Sequence, residues 1–230
     1  MEKLSKLKRL FNKIYYNTFI ENFCFNKKIN FINTKKFNRW DLIQEIINKK
    51  KYKKYLEIGC DDDLLFSKIT ANKKMGVDPK SGGNIRKTSD EFFDTNIEKF
   101  DLIFIDGLHE YNQVKKDIKN SLNFLNNGGL ILLHDCLPSE MSHQAVPRYR
   151  HYWLGDVWKA IVYFRKDPNL NIYTCKIETG ISVIKKELNE NILDLAIKDC
   201  KKLKFKDFYN NYEKFMRLYD YDKFLEKVSN

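Results

Sequence analysis

The chain has 230 residues, enough to bury one sizeable core but short for two domains of ordinary size. Hydrophobic residues make up 43% of the sequence and aromatic residues 14%, a composition that excludes an intrinsically disordered protein. The formal net charge is +11. We interpret it as a lysine-rich solvated surface because no stretch interleaves arginine with aromatic residues as a nucleic-acid groove does. An acidic substrate, such as a sugar phosphate or an anionic glycan, is compatible with this charge.

The cysteines are five in number, widely spaced and without a CxxC pair: Cys24, Cys60, Cys136, Cys175 and Cys200. This pattern predicts reduced thiols in a cytosolic protein, not a disulfide framework or a zinc site. The N-terminal residues contain no uninterrupted apolar stretch, so a signal peptide is not expected. No run reaches the ~20 apolar residues that a membrane span needs. We therefore expect a cytoplasmic protein, with a peripheral membrane contact left open.

Residues 1–37 form a basic helical N-terminal extension in this interpretation. Apolar side chains recur at helical spacing, and lysine and arginine occupy the remaining positions. The apolar positions are Leu4, Leu7, Leu10, Phe11, Ile14 and Tyr15. Such a helix can lie on an anionic membrane surface, or it can pack on the domain or on a second subunit of a homo-oligomer. Of these, packing on the domain or a second subunit is the interpretation that we adopt.

From Trp40 onward, short apolar runs alternate with helical patterns. The runs at 55–58, 75–77, 102–105 and 130–133 predict buried strands, and helices are expected at 40–47, 109–125 and around 161–164. The runs 172–175 and 181–184 predict an antiparallel pair. We expect an α/β fold, Rossmann-like and doubly wound, with a mostly parallel sheet and an antiparallel edge hairpin. The domain would span residues 38–186, followed by a helical C-terminal extension at 187–230.

Acidic residues lie at or next to the end of each of the four best strands: Glu57, Asp78, Asp106 and Asp135. Ligands bind at the carboxyl ends of the strands in open α/β sheets, so four acids in register predict a site there. Asp78 follows Glu57 by about 20 residues, where a nucleotide-binding Rossmann unit places the acid that binds ribose hydroxyls. A turn-forming or helix-capping role before Pro79 is the alternative for Asp78.

The turn after the first strand distinguishes between cofactors. Dinucleotide folds use G-x-G-x-x-G, whereas this turn has Gly59, Cys60 and then three aspartates at 61–63. Three carboxylates would repel a pyrophosphate but tolerate the cationic sulfonium and ammonium groups of S-adenosylmethionine. NAD is therefore not expected as the cofactor.

Several segments together resemble the class I S-adenosylmethionine-dependent methyltransferases, in particular the group found among glycan and surface-polysaccharide O-methyltransferases. The segments are 55–60, 76–79, 88–93, 104–111, 127–138 and 155–159. The resemblance covers about residues 38–185 and reaches neither extension. It implies cofactor binding by Glu57, Gly59, Cys60, Asp61, Asp78, Pro79, Ser89, Asp90 and Asp106. The aspartates at 61–63 depart from the family pattern, which has a second glycine in this turn.

Methyl transfer to a hydroxyl benefits from a base or a metal that lowers the pKa of the acceptor. His109 follows Asp106 by three residues on the loop over the strand end, and we interpret it as the base. His134 is the second candidate, with a role as metal ligand or buried orienting group as its alternatives. Asp106 and Asp135 offer oxygen ligands for Mg²⁺, and these two positions resemble metal-dependent O-methyltransferases. Cys136 stands where a third ligand would be expected.

The polar stretch 139–155 is long enough for a lid or substrate loop. Its Arg148 and Arg150 are candidates for binding a phosphate or carboxylate of the acceptor, with simple solvent exposure as the alternative. Asp156 and Trp158 are expected to cap and pack the following helix.

Three functions follow from these observations. The first is O-methylation of a hydroxyl on a small molecule, a sugar or a surface-glycan precursor. The second is methylation of nucleic acid, which the basic charge favours but which lacks an N-P-P-Y-like motif after the strand that ends at Asp106. The third is a binding module without turnover, which the single glycine of the 59–63 turn favours. The histidines and aspartates at 106–109 and 134–135 favour the first.

Overall fold

The computed structural model describes residues 4–22, 25–31 and 37–229. Within these residues, seven strands form one sheet in the order β2-β1-β3-β4-β6-β5-β7. The strands are β1 (Lys54–Ile58), β2 (Lys73–Val77), β3 (Phe100–Ile105), β4 (Leu125–Leu133), β5 (Leu170–Cys175), β6 (Ile181–Lys186) and β7 (Leu218–Tyr219). β6 runs antiparallel to both of its neighbours, and the other pairings are parallel. The predicted mostly parallel sheet with its antiparallel hairpin is confirmed, and the short β7 lies outside the hairpin.

Helices cover both faces of this sheet. They are α1 (Lys6–Tyr15), α2 (Arg39–Lys50), α3 (Ser89–Thr95), α4 (Tyr111–Asn123), α5 (Val157–Phe164), α6 (Phe205–Met216) and α7 (Tyr221–Ser229). Alternate strand residues point to opposite faces, so Leu56 and Ile103 join one buried cluster while Tyr55 and Leu102 join the other. α3, α4, α5 and α6 contribute to the first cluster, and α2 and α7 to the second. This is the doubly wound arrangement that the sequence predicts.

The helix boundaries follow local capping chemistry. α2 begins with a capping box, in which Asp41 Oδ2 accepts the backbone N–H of Asn38 at 3.2 Å, and the residue that caps its C-terminus, Lys51, is in the left-handed conformation. α4 ends at Asn123, before the expected stop at Gly128 and Gly129, because Leu125 already pairs with β3 at Phe100.

The C-terminal segment differs from the uniformly helical tail that the sequence predicts. A turn-rich stretch precedes α6, which begins only at Phe205, and β7 then pairs in parallel with β5. Phe205 and Phe208 of α6 are fully buried on one face of the sheet, and Phe224 of α7 is fully buried on the other. The segment therefore completes the core on both faces.

The N-terminal segment is attached to the sheet domain by its polar side. Tyr16 is buried, and its hydroxyl donates to Glu21 Oε1 at 3.0 Å while accepting from Gln144 Nε2 at 3.0 Å. The backbone N–H of Phe205 also reaches Glu21 Oε1, at 3.2 Å. By contrast, no residue of α1 itself is buried. The expected packing of the apolar face of α1 on the domain is not what the described residues show.

Cys60, Cys136, Cys175 and Cys200 are buried free thiols, in agreement with the expectation of reduced cysteines, while Cys24 lies outside the described residues. Among the residues that the structure describes, no helix is both long and apolar enough to cross a bilayer.

Candidate active site

The connection order of the sheet creates a switch point beside β1. The chain leaves β1 for β2 on one side and later returns to β3 on the other side. The crevice outside the carboxyl ends of two such strands is where open α/β sheets bind ligands. β1, β2, β3 and β4 are mutually parallel, so the residues that follow them meet at this one edge.

The turn after β1 lies directly against the turn after β3. Gly59 has φ +87°, and a Cβ there would lie 2.3 Å from the backbone oxygen of Asp106. The backbone N–H of Gly59 donates to Val77 at 2.8 Å, and that of Asp106 donates to Ile58 at 2.8 Å. Gly59 is therefore required for the close approach of the two turns at the switch point.

Asp78 holds the same turn from the end of β2. Each of its carboxylate oxygens accepts two backbone N–H groups at 2.8–3.1 Å. The donors are Cys60, Asp61, Lys80 and Ser81. Burial alone would raise the pKa of Asp78, but these backbone donors lower it overall, so the group is a carboxylate. Asp78 thus organises the β1 turn, and its contact with a ribose stays a prediction.

Two glycines that sequence reasoning missed bring a second loop onto this turn. Gly82 and Gly83 have φ +62° and +64°. A Cβ on Gly83 would lie 2.3 Å from the backbone oxygen of Gly76, and one on Gly82 would lie 2.7 Å from that of Asp61. Asp63 Oδ1 accepts the backbone N–H of Gly83 at 2.5 Å. The β1 turn lacks a second glycine at positions 60–63, and Gly82 and Gly83 after β2 instead allow the close approach of the two loops. Because the chain has only nine glycines, two adjacent ones are a signal that the sequence offers for this contact.

Glu57 lies beneath this turn in β1 and is 1% exposed. Its Oε2 accepts the hydroxyl of Tyr55 at 2.7 Å. Burial raises the pKa of Glu57 to about 8, partly offset by the Tyr55 hydrogen bond, so the side chain is protonated at neutral pH. Cys60 is also buried, whereas Asp61 and Pro79 are exposed at the edge. Cofactor binding by these residues stays a prediction.

Ser89 and Asp90 begin α3 and are tied to α4 by one amide. Gln113 Nε2 donates to Ser89 Oγ at 3.2 Å, to Asp90 Oδ1 at 3.1 Å and to Asp117 Oδ1 at 3.0 Å. Burial raises the pKa of Asp117 to about 6. A Cβ on Gly107 would lie 3.9 Å from Asp117 Oδ2, so this buried acid, which sequence reasoning missed, stands beside the β3 turn.

Two aspartates and two histidines meet beyond the ends of β3 and β4, and we call Asp106, His109, His134 and Asp135 the acid–imidazole cluster. His109 Nε2 lies 3.1 Å from Asp106 Oδ1, and its Nδ1 lies 3.2 Å from Asp135 Oδ2. His134 Nδ1 lies 3.3 Å from Asp106 Oδ1 and 3.4 Å from Asp135 Oδ1. The structure thus brings together the residues that the sequence singles out for transfer and for metal binding.

A third acid and an arginine extend this cluster, and neither is evident from the sequence. Glu178, on the turn between β5 and β6, places Oε2 3.1 Å from His134 Nε2. The same carboxylate accepts the backbone N–H of Arg39 at 2.8 Å and its Nη1 at 3.2 Å. Three carboxylates therefore face three groups that can carry positive charge. Glu178 lies 44 residues from His134 and 139 residues from Arg39 in the chain, so local patterns give no signal for these contacts.

The charges in the cluster support one another despite burial. Burial opposes ionisation of Asp106, but His134 and His109 lower its pKa well below the usual value. Burial likewise disfavours the imidazolium of His134, yet Asp106 and Glu178 raise its pKa to about 10. Burial lowers the pKa of His109 as well, but the contacts with Asp106 and Asp135 outweigh this effect, so that the pKa of His109 lies above its usual value. His134 is therefore protonated at neutral pH in this arrangement, and the carboxylates favour the protonated form of His109.

The two histidines differ in their access to an acceptor. His134 has its Nε2 enclosed by Glu178 and by Thr179 Oγ1 at 3.0 Å, which fits an orienting role. His109 Nδ1 is buried and close to Asp135 but lacks a hydrogen bond of acceptable geometry. The hydrogen-bonding capacity of His109 is thus less completely used than that of His134. His109 can accept a proton from a substrate hydroxyl only when its contact with Asp106 or Asp135 is broken.

The cluster also has the donors for a divalent cation. One ligand atom from each of Asp106, His134 and Asp135 lies within 4.8 Å of the other two, and carboxylate and imidazole groups are donors that bind divalent metals. His134 thereby provides the third metal ligand, which the sequence analysis did not find next to Asp135 because the fully buried Cys136 stands there. Imidazole among the donors favours a transition metal over Mg²⁺. The residues therefore fit a divalent metal, provided that His134 binds in its neutral form.

The loop at 139–155 folds over the cluster and is itself partly buried, with a single helical turn at Met141–Gln144. Trp153 stacks on His109 with ring centroids 5.5 Å apart. Arg148 Nε donates to the backbone oxygen of Arg150 at 2.9 Å, and Arg150 forms an exposed ion pair of 3.4 Å with Glu140. Both arginines thus bind within the loop, and their contact with an acceptor stays a prediction.

The turn that ends this loop corrects one expectation. Asp156 does not cap α5 through its side chain but accepts the backbone N–H of Tyr111, the first residue of α4, at 2.6 Å. A Cβ on Gly155 would lie 1.8 Å from the backbone oxygen of His109. The turn therefore supports the His109 loop. Trp158 is fully buried and donates to Gln144 at 2.6 Å, as expected of a packing residue.

Comparison with known families identifies part of the chain. Residues 69–136 match the family described as a methyltransferase domain. This segment is less than a third of the chain and contains β2, α3, β3, α4 and β4, together with the whole acid–imidazole cluster. No curated protein matches the sequence.

Solved structures show similar folds at low identity. A methyltransferase of Podospora anserina bound to S-adenosylhomocysteine (SAH) is 19% identical, with a TM-score of 0.48, covering 66% of this chain and 80% of that one. An O-methyltransferase of Bacillus cereus in complex with SAH is 12% identical, with a TM-score of 0.47, covering 81% and 93%. The mycinamycin-pathway methyltransferase MycE, in complex with Mg, SAH and mycinamycin VI, is 16% identical, with a TM-score of 0.45, covering 71% and 52%. At these scores the similarities add nothing to what the sheet itself shows.

Proposed function

We propose that the chain is an S-adenosylmethionine-dependent methyltransferase that acts on a hydroxyl group. The observation that carries the proposal is the switch-point crevice, where the Gly59 turn, tied to Asp78, lies against the turn that leads from Asp106 to His109. The match of residues 69–136 to a methyltransferase domain supports it independently of the geometry. The exposed acids beside the crevice favour a cationic cofactor over a pyrophosphate.

Within this proposal, the chain orders the two turns before any ligand arrives. Asp78 fixes the backbone N–H groups of the β1 turn, and Gln113 holds Ser89 and Asp90 at the start of α3. S-adenosylmethionine, when bound, would supply a sulfonium methyl group for in-line transfer to the acceptor oxygen, with neutral SAH as the leaving group. Preorganised turns at a strand edge hold such a cofactor without rearrangement of the backbone.

His109 is the base in this proposal and removes the proton of the acceptor hydroxyl. Its contacts with Asp106 and Asp135 orient the ring and stabilise the imidazolium that results. His134 positions Asp106 from the other side and is itself positioned by Glu178. Trp153 covers His109 and restricts water at the site.

A divalent metal held by Asp106 and Asp135, with His134 as a further ligand, is a second part of the proposal. It would supply Lewis acidity that lowers the pKa of an acceptor hydroxyl. The same carboxylate oxygens contact the imidazoles, so metal binding and the His109 contacts compete.

For the acceptor we propose a hydroxyl of a sugar or a surface-glycan precursor. The basic loop over His109, with Arg148 and Arg150, supports an anionic acceptor of this kind. A screen that begins with nucleotide sugars tests this choice.

Isothermal titration calorimetry with S-adenosylmethionine, SAH and NAD, each with and without Mg²⁺ and Mn²⁺, tests the cofactor. We expect micromolar binding of both adenosyl compounds and none of NAD. Asp78→Asn should weaken SAH binding, whereas Asp222→Asn on α7 is the control for removal of a surface charge. Binding without turnover on any hydroxyl acceptor would favour the binding module, and no binding of SAH would refute the proposal.

A further inference from the structure

The first helix presents an apolar face that is exposed in the described structure. Leu7 and Phe11 are each 70% exposed, Ile14 is 56% exposed and Leu10 is 54% exposed. Half of the exposed large hydrophobic side chains in the described residues lie between Leu7 and Phe19. A patch of this kind on a helix marks an interaction surface.

Charged residues border this face on both sides. At about 100° per residue, Leu7, Leu10, Phe11 and Ile14 fall within one arc of roughly 100°. Lys8 lies at one edge of the arc, and Lys6 and Lys13 lie beyond the other. The stretch from Leu4 to Ile20 contains Lys6, Lys8, Arg9 and Lys13 but no acidic residue.

The polar side of the same helix is fixed to the domain. Asn12 Nδ2 donates to the backbone oxygen of Arg148 at 2.7 Å. Tyr16, which follows the helix, is buried against Glu21 and Gln144. Asn12 and Tyr16 lie opposite the apolar arc, so these anchors orient the apolar face away from the domain.

We propose that α1 docks on an anionic lipid bilayer, with Leu7, Phe11 and Ile14 in the interface and the lysines at the headgroups. An exposed apolar arc with basic borders is the pattern of a helix that lies in the plane of a membrane surface. Anionic headgroups attract such lysines, and the net charge of +11 adds to this attraction. In a symmetric pair of chains, by contrast, the same basic borders would face each other, which disfavours a second copy as the occupant.

Docking in this orientation places the bilayer close to the loop over the candidate active site. Arg148 contacts α1, Tyr149 packs on Tyr16 with ring centroids 5.8 Å apart, and Trp153 of the same loop stacks on His109. Docking would thus concentrate a membrane-borne acceptor near this loop. This consequence rests on the proposed function, whereas the docking itself does not.

Vesicle co-sedimentation of the full chain tests the docking. The vesicles are phosphatidylcholine alone or phosphatidylcholine with about 30% phosphatidylglycerol, at low and high salt. We expect binding to the anionic vesicles that is at least about tenfold tighter than binding to the neutral ones and that weakens with salt.

Matched variants distinguish the contribution of the apolar face of α1 to vesicle binding from that of its lysines. Ile14→Glu and the double change Lys8→Gln with Lys13→Gln should each weaken anionic-vesicle binding by about tenfold or more. Ile97→Glu, at a position 93% exposed on the loop after α3, and Lys119→Gln on α4 are the controls and should bind as the parent does. These side chains are exposed, so circular dichroism and SAH affinity should stay unchanged in all four variants.

Absence of vesicle binding, or equal loss in Ile97→Glu and Ile14→Glu, would overturn the proposal. A dimer in light scattering that dissociates in Ile14→Glu would assign the face to a second copy and overturn it as well. SAH binding is measured separately, so failure of the docking leaves the test of the methyltransferase proposal intact.

Discussion

His134 Nε2 lies 3.1 Å from Glu178 Oε2, which links the end of β4 to the turn between β5 and β6. Because burial alone would depress the pKa of His134, the value of about 10 depends on its carboxylate neighbours. Glu178→Gln removes one of these charges and should lower the pKa of His134 by about one pH unit. An NMR titration of the histidine side chains in the metal-free protein measures this change. Glu187→Gln, on an exposed carboxylate after β6, is the control and should leave the value unchanged.

Replacement of His109 tests the proposed base. His109→Gln keeps a polar side chain near Asp106 and Asp135 but cannot accept the proton, so kcat should fall by about 10²–10⁴-fold while SAH affinity is retained. His143→Gln, at a histidine on the neighbouring loop, is the matched control and should retain most of the activity. Normal turnover in His109→Gln would show that another group takes the proton.

The pH profile of kcat gives a second measure of the same group. Because Asp106 and Asp135 raise the pKa of His109 above its usual value, the neutral base becomes available only as the pH rises. Activity should therefore increase with pH through that pKa. Asp135→Asn removes one of the two charges and should move the rise toward lower pH, whereas an unmoved profile would contradict the assignment.

The strands and their terminal acids are predictable from the sequence because both are local patterns. Apolar runs such as 102–105 define buried strands, and the acids that follow them are placed at one edge by the parallel topology alone. The place of Glu178 and Arg39 in the candidate site could not be predicted from local patterns, because their contacts with the cluster join distant parts of the chain. Strand β7 could not be predicted because its two residues are too few to show a periodic pattern. The direction in which the apolar face of α1 points likewise depends on tertiary anchors.

Glu57 makes stability depend on pH in a defined direction. Its pKa rises from 4.5 to about 8 on folding, so the folded state binds a proton between these values that the unfolded state has released. The contribution of Glu57 to stability should therefore fall as the pH rises from about 4.5 to 8. Glu57→Gln mimics the protonated form and keeps the partner of the Tyr55 hydroxyl. It should remove this loss, which is on the order of 3–5 kcal/mol.

Urea denaturation of the parent and of Glu57→Gln at pH 5 and pH 9 provides the comparison. The two proteins should be similar at the lower pH, and the variant should be the more stable at the higher pH. A constant difference across the range would show that the Glu57 carboxyl does not titrate in this window.

Substitution of Gly59 and of Gly128 by alanine distinguishes the stability cost of backbone strain from that of a steric clash between two turns. Both have positive φ, +87° and +73°, but a Cβ on Gly128 meets nothing within 4 Å, whereas one on Gly59 would lie 2.3 Å from the Asp106 oxygen. Gly128→Ala should cost about 1–2 kcal/mol of stability from its conformation alone. Gly59→Ala should cost at least about 3 kcal/mol, because the β1 and β3 turns must also move apart. The same displacement should weaken SAH binding in Gly59→Ala, while Gly128→Ala retains it. Equal costs in urea denaturation would mean that the two turns can separate freely, and the crevice between them would then lose its role as a preorganised site.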